Sequence, residues 1–293
     1  MSRMVSTCQE VEAAWPSQGR IVFKGNANST VTVGDSLVPE EKLALTDINL
    51  NVESGEHIGI VGRTGSGKSS LIRVLFRLVP HMEGPVSNLH IAKVKKFRGA
   101  TGTVEVDNVD IRKVPLRILR SRMLCVPQNP FLFSGTVREN LDYDNSYTNE
   151  ELTDLLLRCG LVGEAAEALA FLDSEVGEGG QNLSSGQRQL LCLTRALFRR
   201  GQARYSVICL DEVTASLDDV CEKRIRELLN NEFAKSTVIL VAHRISTVLS
   251  CCSRVVVMSF GRIVEVGDPK DLAQNPNSHF YQMLHSQAIQ SSE

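Results

Sequence analysis

Residues 58–71 read Ile58-Gly59-Ile60-Val61-Gly62-Arg63-Thr64-Gly65-Ser66-Gly67-Lys68-Ser69-Ser70-Leu71. An apolar run leads into a glycine-rich turn that matches the pattern G-x-x-x-x-G-K-[ST]. Leu71, Val74, Leu75 and Leu78 follow at helical spacing, which predicts a helix over 69–79, ended by Pro80. Glycines let a backbone curl around phosphate oxygens without Cβ clashes, and the N–H groups and helix N-terminus then face the anion. Gly62, Arg63, Thr64, Gly65, Ser66, Gly67, Lys68, Ser69 and Ser70 are therefore the candidate nucleotide-binding loop. Lys68 adds a mobile positive charge for the terminal phosphates, and the Ser69 hydroxyl is a candidate ligand for Mg2+.

A second segment, Val207-Ile208-Cys209-Leu210-Asp211-Glu212, is an apolar strand that ends in two acids. In open α/β sheets ligands bind at the carboxyl ends of the strands. Asp211 is the candidate to hold Mg2+ through water. Glu212 is the candidate to orient and deprotonate an attacking water. Strands ending in acids are common, so this segment gains its meaning from the phosphate loop.

Composition narrows the remaining classes. The chain has 293 residues, 42 % of them hydrophobic, and a formal net charge of -2. That supports a sizeable core and gives no basic footprint for nucleic acid. The longest apolar stretches, such as Val238–Ala242, fall far short of the roughly 18–20 residues that span a bilayer. Met1–Glu12 does not have the form of a signal peptide. Eight cysteines occur without a C-x-x-C pair, and Cys192 and Cys209 lie in apolar segments. They read as thiols in a reducing compartment rather than as zinc ligands or a disulfide framework.

Along the chain, residues 1–18 form a polar linker and a strand-like alternation begins at Arg20. Lys93, Lys95, Lys96 and Arg98 mark a glycine-bounded insert over 84–102, read as a solvated loop, with a partner-binding loop as the alternative. Thr148-Asn149-Glu150-Glu151 predicts a capping box for a helix stopping at Gly160. Ser184 or Ser185 caps another helix with Leu190, Leu193 and Leu197 on one face. Val207–Leu210, Val238–Val241 and Val255–Met258 have the continuous apolar character of buried parallel strands. Strands alternate with helices in the first and last thirds, whereas about 131–200 is mostly helical. The expectation is an α/β core with an inserted helical subdomain.

Leu183-Ser184-Ser185-Gly186-Gln187-Arg188-Gln189 resembles the L-S-G-G-Q signature of ABC ATPases, and it lies just upstream of the Asp211-Glu212 strand, as in that family. Gln128, in Val126-Pro127-Gln128-Asn129-Pro130, resembles the Q-loop glutamine. Ser216-Leu217-Asp218 resembles the D-loop, and His243, in Val241-Ala242-His243-Arg244, resembles the switch histidine. Closer likeness is to the second nucleotide-binding domain of the C subfamily, the multidrug-resistance-protein group. It rests on Trp15-Pro16-x-x-Gly19-Arg20-Ile21-Val22-Phe23, Phe131-Leu132-Phe133-Ser134-Gly135-Thr136 and Gly186-Gln187-Arg188-Gln189-Leu190, and spans about residues 15–285.

The resemblance implies a P-loop NTPase core of the ABC ATPase type, with an N-terminal antiparallel β subdomain and an inserted helical subdomain. It bounds the ATPase domain at 19–285 and leaves 286–293 as a tail. It implies ATP and Mg2+, with Glu212, His243, Gln128 and Lys68 in catalysis and Ser69, Gln128 and Asp211 at the metal. Ser184, Ser185, Gly186, Gln187 and Asp218 would contact nucleotide bound by a second nucleotide-binding domain in a head-to-tail dimer. It further implies transmembrane domains as partners, a place on the cytoplasmic face of a membrane, and export of organic anions or thiol conjugates. Phe131, Leu132 and Phe133 read equally as core or as a docking cleft for the membrane domain. A soluble ABC ATPase and a non-hydrolytic regulatory module are the alternatives.

The sequence departs from the family in three places. No Phe, Tyr or Trp stands between Phe23 and Phe76, so the ring that usually stacks on adenine is missing from its slot near Thr30. The 84–102 insert is long. Ser185 replaces the first glycine of the signature pair.

Overall fold

A computed structural model describes residues 12, 14–25, 44–79, 102–197, 205–214, 217–242 and 244–290. Thr30, Pro80, residues 84–101, Ser216 and His243 lie outside the described residues. In chain order the elements are β1 (Ile21–Lys24), β2 (Asn49–Val52), β3 (His57–Val61), α1 (Lys68–Leu75), β4 (Thr103–Val106), β5 (Val109–Asp110), α2 (Leu116–Arg122) and β6 (Leu124–Val126). Next come β7 (Gly135–Thr136), α3 (Val137–Leu141), α4 (Asn149–Cys159), α5 (Ala165–Leu172), β8 (Glu175–Val176) and α6 (Ser185–Leu197). The chain continues through β9 (Val207–Asp211), α7 (Asp219–Asn231), β10 (Thr237–Val241), α8 (Ile245–Cys251), β11 (Arg254–Ser259), β12 (Arg262–Gly267), α9 (Pro269–Leu272) and α10 (His279–Gln290).

These elements form two compact units. One comprises residues 1–124, 205–209 and 236–293, and the other residues 125–204 and 210–235. The first unit holds an antiparallel sheet of order β2-β1-β4-β5. In β1 the alternation read from sequence puts Ile21 and Phe23 in the core and Lys24 in solvent, where its ammonium meets Glu105 on β4 at 2.7 Å. The main sheet has the order β12-β11-β3-β10-β9-β6. Its strand β3 pairs in parallel with both β10 and β11. Such strands are covered on both faces, which is why Val238–Val241 and Val255–Met258 are continuous apolar runs. β12 returns antiparallel through the turn Phe260-Gly261, where both residues have positive φ, as a two-residue hairpin requires.

Helix α1 ends earlier than its apolar spacing predicts, at Leu75 rather than Val79. Arg77 takes a left-handed φ of 48°. The Leu78 amide donates to Arg73 O at 2.8 Å and the Arg77 amide to Val74 O at 3.0 Å, a Schellman stop. The Arg77 guanidinium donates to the carbonyls of Ile111 and Val114, which fixes the stop against the chain leading to α2. Leu71, Val74 and Leu75 are buried as expected, whereas Leu78, assigned to the same face, is 56 % exposed.

The second unit is helical, with the short antiparallel pair β7-β8. Its core gathers Leu132, Val137, Leu141, Leu152, Leu156 and Leu172. The capping box at Thr148 is present: its hydroxyl accepts from the Glu151 amide, while the Glu151 carboxylate accepts from the Thr148 amide. Gly160 ends α4 in the left-handed conformation.

Candidate functional site

Residues 62–67 link β3 to α1, and the loop is shaped by its neighbours in the sheet. Gly62 has φ 158°, and a Cβ there would collide with the carbonyl oxygen of Met258 on β11. The Ser66 amide donates to Arg63 O at 3.1 Å, closing a tight turn. The Gly261 amide donates to Ser66 O at 3.0 Å, and the Thr46 amide to Gly261 O at 2.7 Å. Arg63, Thr64 and Gly65 are exposed, Ser66 and Lys68 are buried, and Ser69 and Ser70 open α1 half-buried. The Lys68 ammonium donates to Gly62 O at 3.0 Å and Arg63 O at 3.3 Å, so its charge lies inside the curl of the loop. The Ser66 hydroxyl is buried without a hydrogen-bond partner. A polar atom left unsatisfied beside a buried cation fits an anion such as phosphate.

The second unit carries the acids. Asp211 ends β9 and Glu212 follows with φ 53°, a left-handed conformation unusual for a glutamate. Gln128 Nε2 donates to Glu212 Oε2 at 2.7 Å. Gln128 O in turn accepts from Gln189 Nε2, on α6, at 2.8 Å. Asp211 and, above all, burial push the Cys125 thiol up to about 11. Gln128 and Asp211 in this unit carry amide and carboxylate oxygens, and Ser69 in the first unit a hydroxyl, donor types that suit Mg2+. Among the described residues, no group of three or more His, Cys, Asp or Glu that could hold a metal ion occurs.

The signature segment opens α6. The Ser184 hydroxyl accepts from the Gln187 amide at 3.1 Å and the Gln187 side-chain oxygen from the Ser184 amide at 2.9 Å, so Ser184 is the cap and Ser185 the first helical residue. Gly186 is buried against Cys221 of α7, where a Cβ would collide with the Cys221 sulfur. Asp218 caps α7 by accepting from the Cys221 amide at 2.8 Å, and this bond holds its carboxyl below the usual range. Gly186 and Asp218, matched to two separate motifs, thus meet at Cys221.

The profile of the family described as ABC transporter matches residues 45–215, the span from the approach to the phosphate loop to just past Glu212. The chain belongs to the ABC transporter family. It is 40 % identical over 285 residues to the mouse ATP-binding cassette sub-family C member 10, covering 97 % of this chain and 17 % of that protein. It is 39 % identical over 267 residues to the human ATP-binding cassette sub-family C member 2, covering 91 % of this chain and 15 % of that protein. The chain therefore spans about a sixth of the length of these relatives. Its structure superposes on a bacterial Atm1-family ABC exporter solved with ATP bound, with a TM-score of 0.73 and 26 % identity over 92 % of this chain and 42 % of that one. ABC transporters hydrolyse ATP, and this chain is an ATP-binding domain of their sub-family C type. No helix among the described residues is long and apolar enough to cross a membrane.

Within this ABC domain the segment after Gln128 divides. Leu132 is a core residue, Phe131 is 72 % exposed, and Phe133 is half-buried with its ring edge-on to Tyr143 at 6.4 Å. Leu132 thus takes the core place that one reading of 131–133 expects, and Phe131 does not. Sequence reading missed two residues on α6 that organise this segment. One is Gln189. The other is Arg195, which donates to Asn140 O, Asn140 Oδ1 and Phe131 O and lies 5.7 Å from the centre of the Phe133 ring. Both fall on the polar positions of an amphipathic helix, where solvent is the ordinary expectation.

Proposed function

We propose that this chain is the ATP-hydrolysing half-site of an exporter of the multidrug-resistance-protein group. The observation that carries the reading is the Gln128–Glu212 hydrogen bond, which aims one carboxylate oxygen from the end of β9 and ties it to the Q-loop. Gly62 to Ser70 bind the triphosphate of ATP and Lys68 follows the charge onto the terminal phosphates. Glu212 holds the attacking water and accepts its proton. Mg2+ held by Ser69, Gln128 and Asp211 would neutralise charge on the phosphate oxygens. His243, matched to the switch histidine by sequence, would contact the γ-phosphate. Catalysis is then chiefly positioning and electrostatic stabilisation.

The ATPase domain is taken as 19–285, with its helical subdomain over about 131–200. A second nucleotide-binding domain pairs with it head to tail, so that Ser184, Ser185, Gly186, Gln187 and Asp218 meet nucleotide held by the partner. Binding of ATP closes the pair and hydrolysis opens it. Transmembrane domains dock at the exposed face that includes Phe131, placing the chain on the cytoplasmic side of a membrane. Organic anions and thiol conjugates are the cargo class.

Phosphate release by the purified chain tests this reading. Release should need Mg2+ and stop on chelation. Release that persists without divalent cation removes Ser69, Gln128 and Asp211 from the metal. ATP binding without release would make the chain a regulatory module instead.

A further inference from the structure

Helix α6 faces the Q-loop with a polar stripe. Gln189, Cys192 and Arg195, at i, i+3 and i+6, each donate to the segment 128–140: Gln189 to Gln128 O, Cys192 weakly to Phe131 O at 3.8 Å, and Arg195 to Phe131 O and Asn140. Burial lowers the basicity of the Arg195 guanidinium, consistent with a cation packed among carbonyls rather than in solvent. Gln189 stands out on this stripe because the residue is buried, at 5 % exposure, and of its amide only the nitrogen is used. Its oxygen Oε1 is buried with no hydrogen-bond partner. An apolar side chain of the same length would leave no orphaned acceptor here. The amide is thus unfavourable for packing in one half and makes one directed contact with the other half.

That contact falls on the residue that carries the grip on Glu212. Gln128 is itself exposed, so little else packs against its side chain, and its backbone decides where its amide points. We propose that Gln189 is a positioning residue for hydrolysis. Through Gln128 O it sets the Q-loop backbone so that Gln128 Nε2 meets Glu212 Oε2, connecting the signature helix to the water-activating carboxylate of the same chain. The inference rests on Glu212 being that carboxylate.

A mutant cycle on the full chain tests it. Gln189→Met keeps length and removes the donor. Its kcat should fall about ten-fold, the scale of one directed hydrogen bond, with KM for ATP and the melting temperature little changed. Gln128→Ala should lower kcat as well. The double variant should then be no slower than Gln128→Ala, because Gln189 acts only through Gln128. Additive losses would mark Gln189 as ordinary packing and overturn the proposal. Amide exchange without nucleotide gives a second readout: Gln189→Met should speed exchange over 126–131 by about ten-fold and leave β10 unchanged, and equal exchange would also overturn it. Glu212→Gln separates the underlying reading. Wild-type turnover in that variant would refute the carboxylate assignment, while the exchange result would still report whether Gln189 holds Gln128.

Discussion

Gln128 Nε2 and Glu212 Oε2 stand 2.7 Å apart, with the amide donating to the carboxylate. The bond uses one oxygen of Glu212 and orients the other, while Lys68 and the loop amides belong to a separate part of the chain. Binding and the chemical step should therefore separate on mutation.

Glu212→Gln should abolish turnover and leave ATP bound, trapping the closed pair. Loss of a positioned general base costs on the order of a hundred-fold or more in rate. Lys68→Ala should instead weaken binding itself. Phosphate release and fluorescent-nucleotide titration on the two variants check the division. Wild-type hydrolysis by Glu212→Gln would reassign the catalytic carboxylate.

Gly62 is required by the sheet independently of any nucleotide. A Cβ there runs into the backbone carbonyl of Met258, which cannot swing aside without moving β11. Gly62→Ala should therefore destabilise the chain even without ATP, by about 2–3 kcal/mol. In a protein this size that is a fall in Tm of roughly 5–10 °C. A melting curve equal to wild type would confine the role of Gly62 to phosphate binding.

The sequence offers no ring at the slot where one usually stacks on adenine. Trp15 is buried, and its indole N–H donates to Val106 O at 2.9 Å. Phe23 is buried on β1. A ring stacked on a base contributes about 1–3 kcal/mol. Without one, ATP should bind weakly and outcompete GTP by less than about ten-fold. Competition titration measures this. A strong ATP preference would point first to Phe260, which is 84 % exposed at the hairpin turn whose next residue, Gly261, bonds to Ser66 O. In that case Phe260→Ala should erase the preference.

What could be read from sequence was local. The phosphate loop, the strand ending in Asp211 and the cap at Thr148 each declare themselves within a few residues, because backbone geometry and short-range hydrogen bonds need those side chains there. The early stop of α1 was hidden because Arg77 is not a residue that advertises a left-handed turn. The pairing of Ile21 with Val106 and the bond from Gln189 to a carbonyl 61 residues away are products of folding, with no spacing rule to announce them. The ring that binds the base, if the chain has one, is likewise a matter of which loop comes back to Ser66.

The signature pair Ser185-Gly186 separates two demands on small residues. Gly186 is fixed by this chain's own packing, since any side chain would strike Cys221. Ser185, the first residue of α6, is where the sequence departs from the family pattern. In the proposed head-to-tail pair, a Cβ and hydroxyl there would crowd the approach of this backbone to the γ-phosphate of the partner's ATP, or alter its hydrogen bonding. In the group that this domain resembles, the second domain's signature serves the poorly hydrolysing site, while its phosphate loop and carboxylate serve the competent one. Asp211-Glu212 is complete here and the signature departs at Ser185, a pattern that fits that division. Forced to pair with itself, the domain should dimerise weakly and hydrolyse slowly. Ser185→Gly should raise its ATPase rate, and so should mixing wild type with a partner domain carrying an intact L-S-G-G-Q. Both gains should appear as faster phosphate release with the same requirement for Mg2+. If neither differs from the isolated wild-type domain, Ser185 is a harmless replacement and a symmetric pair is the better description.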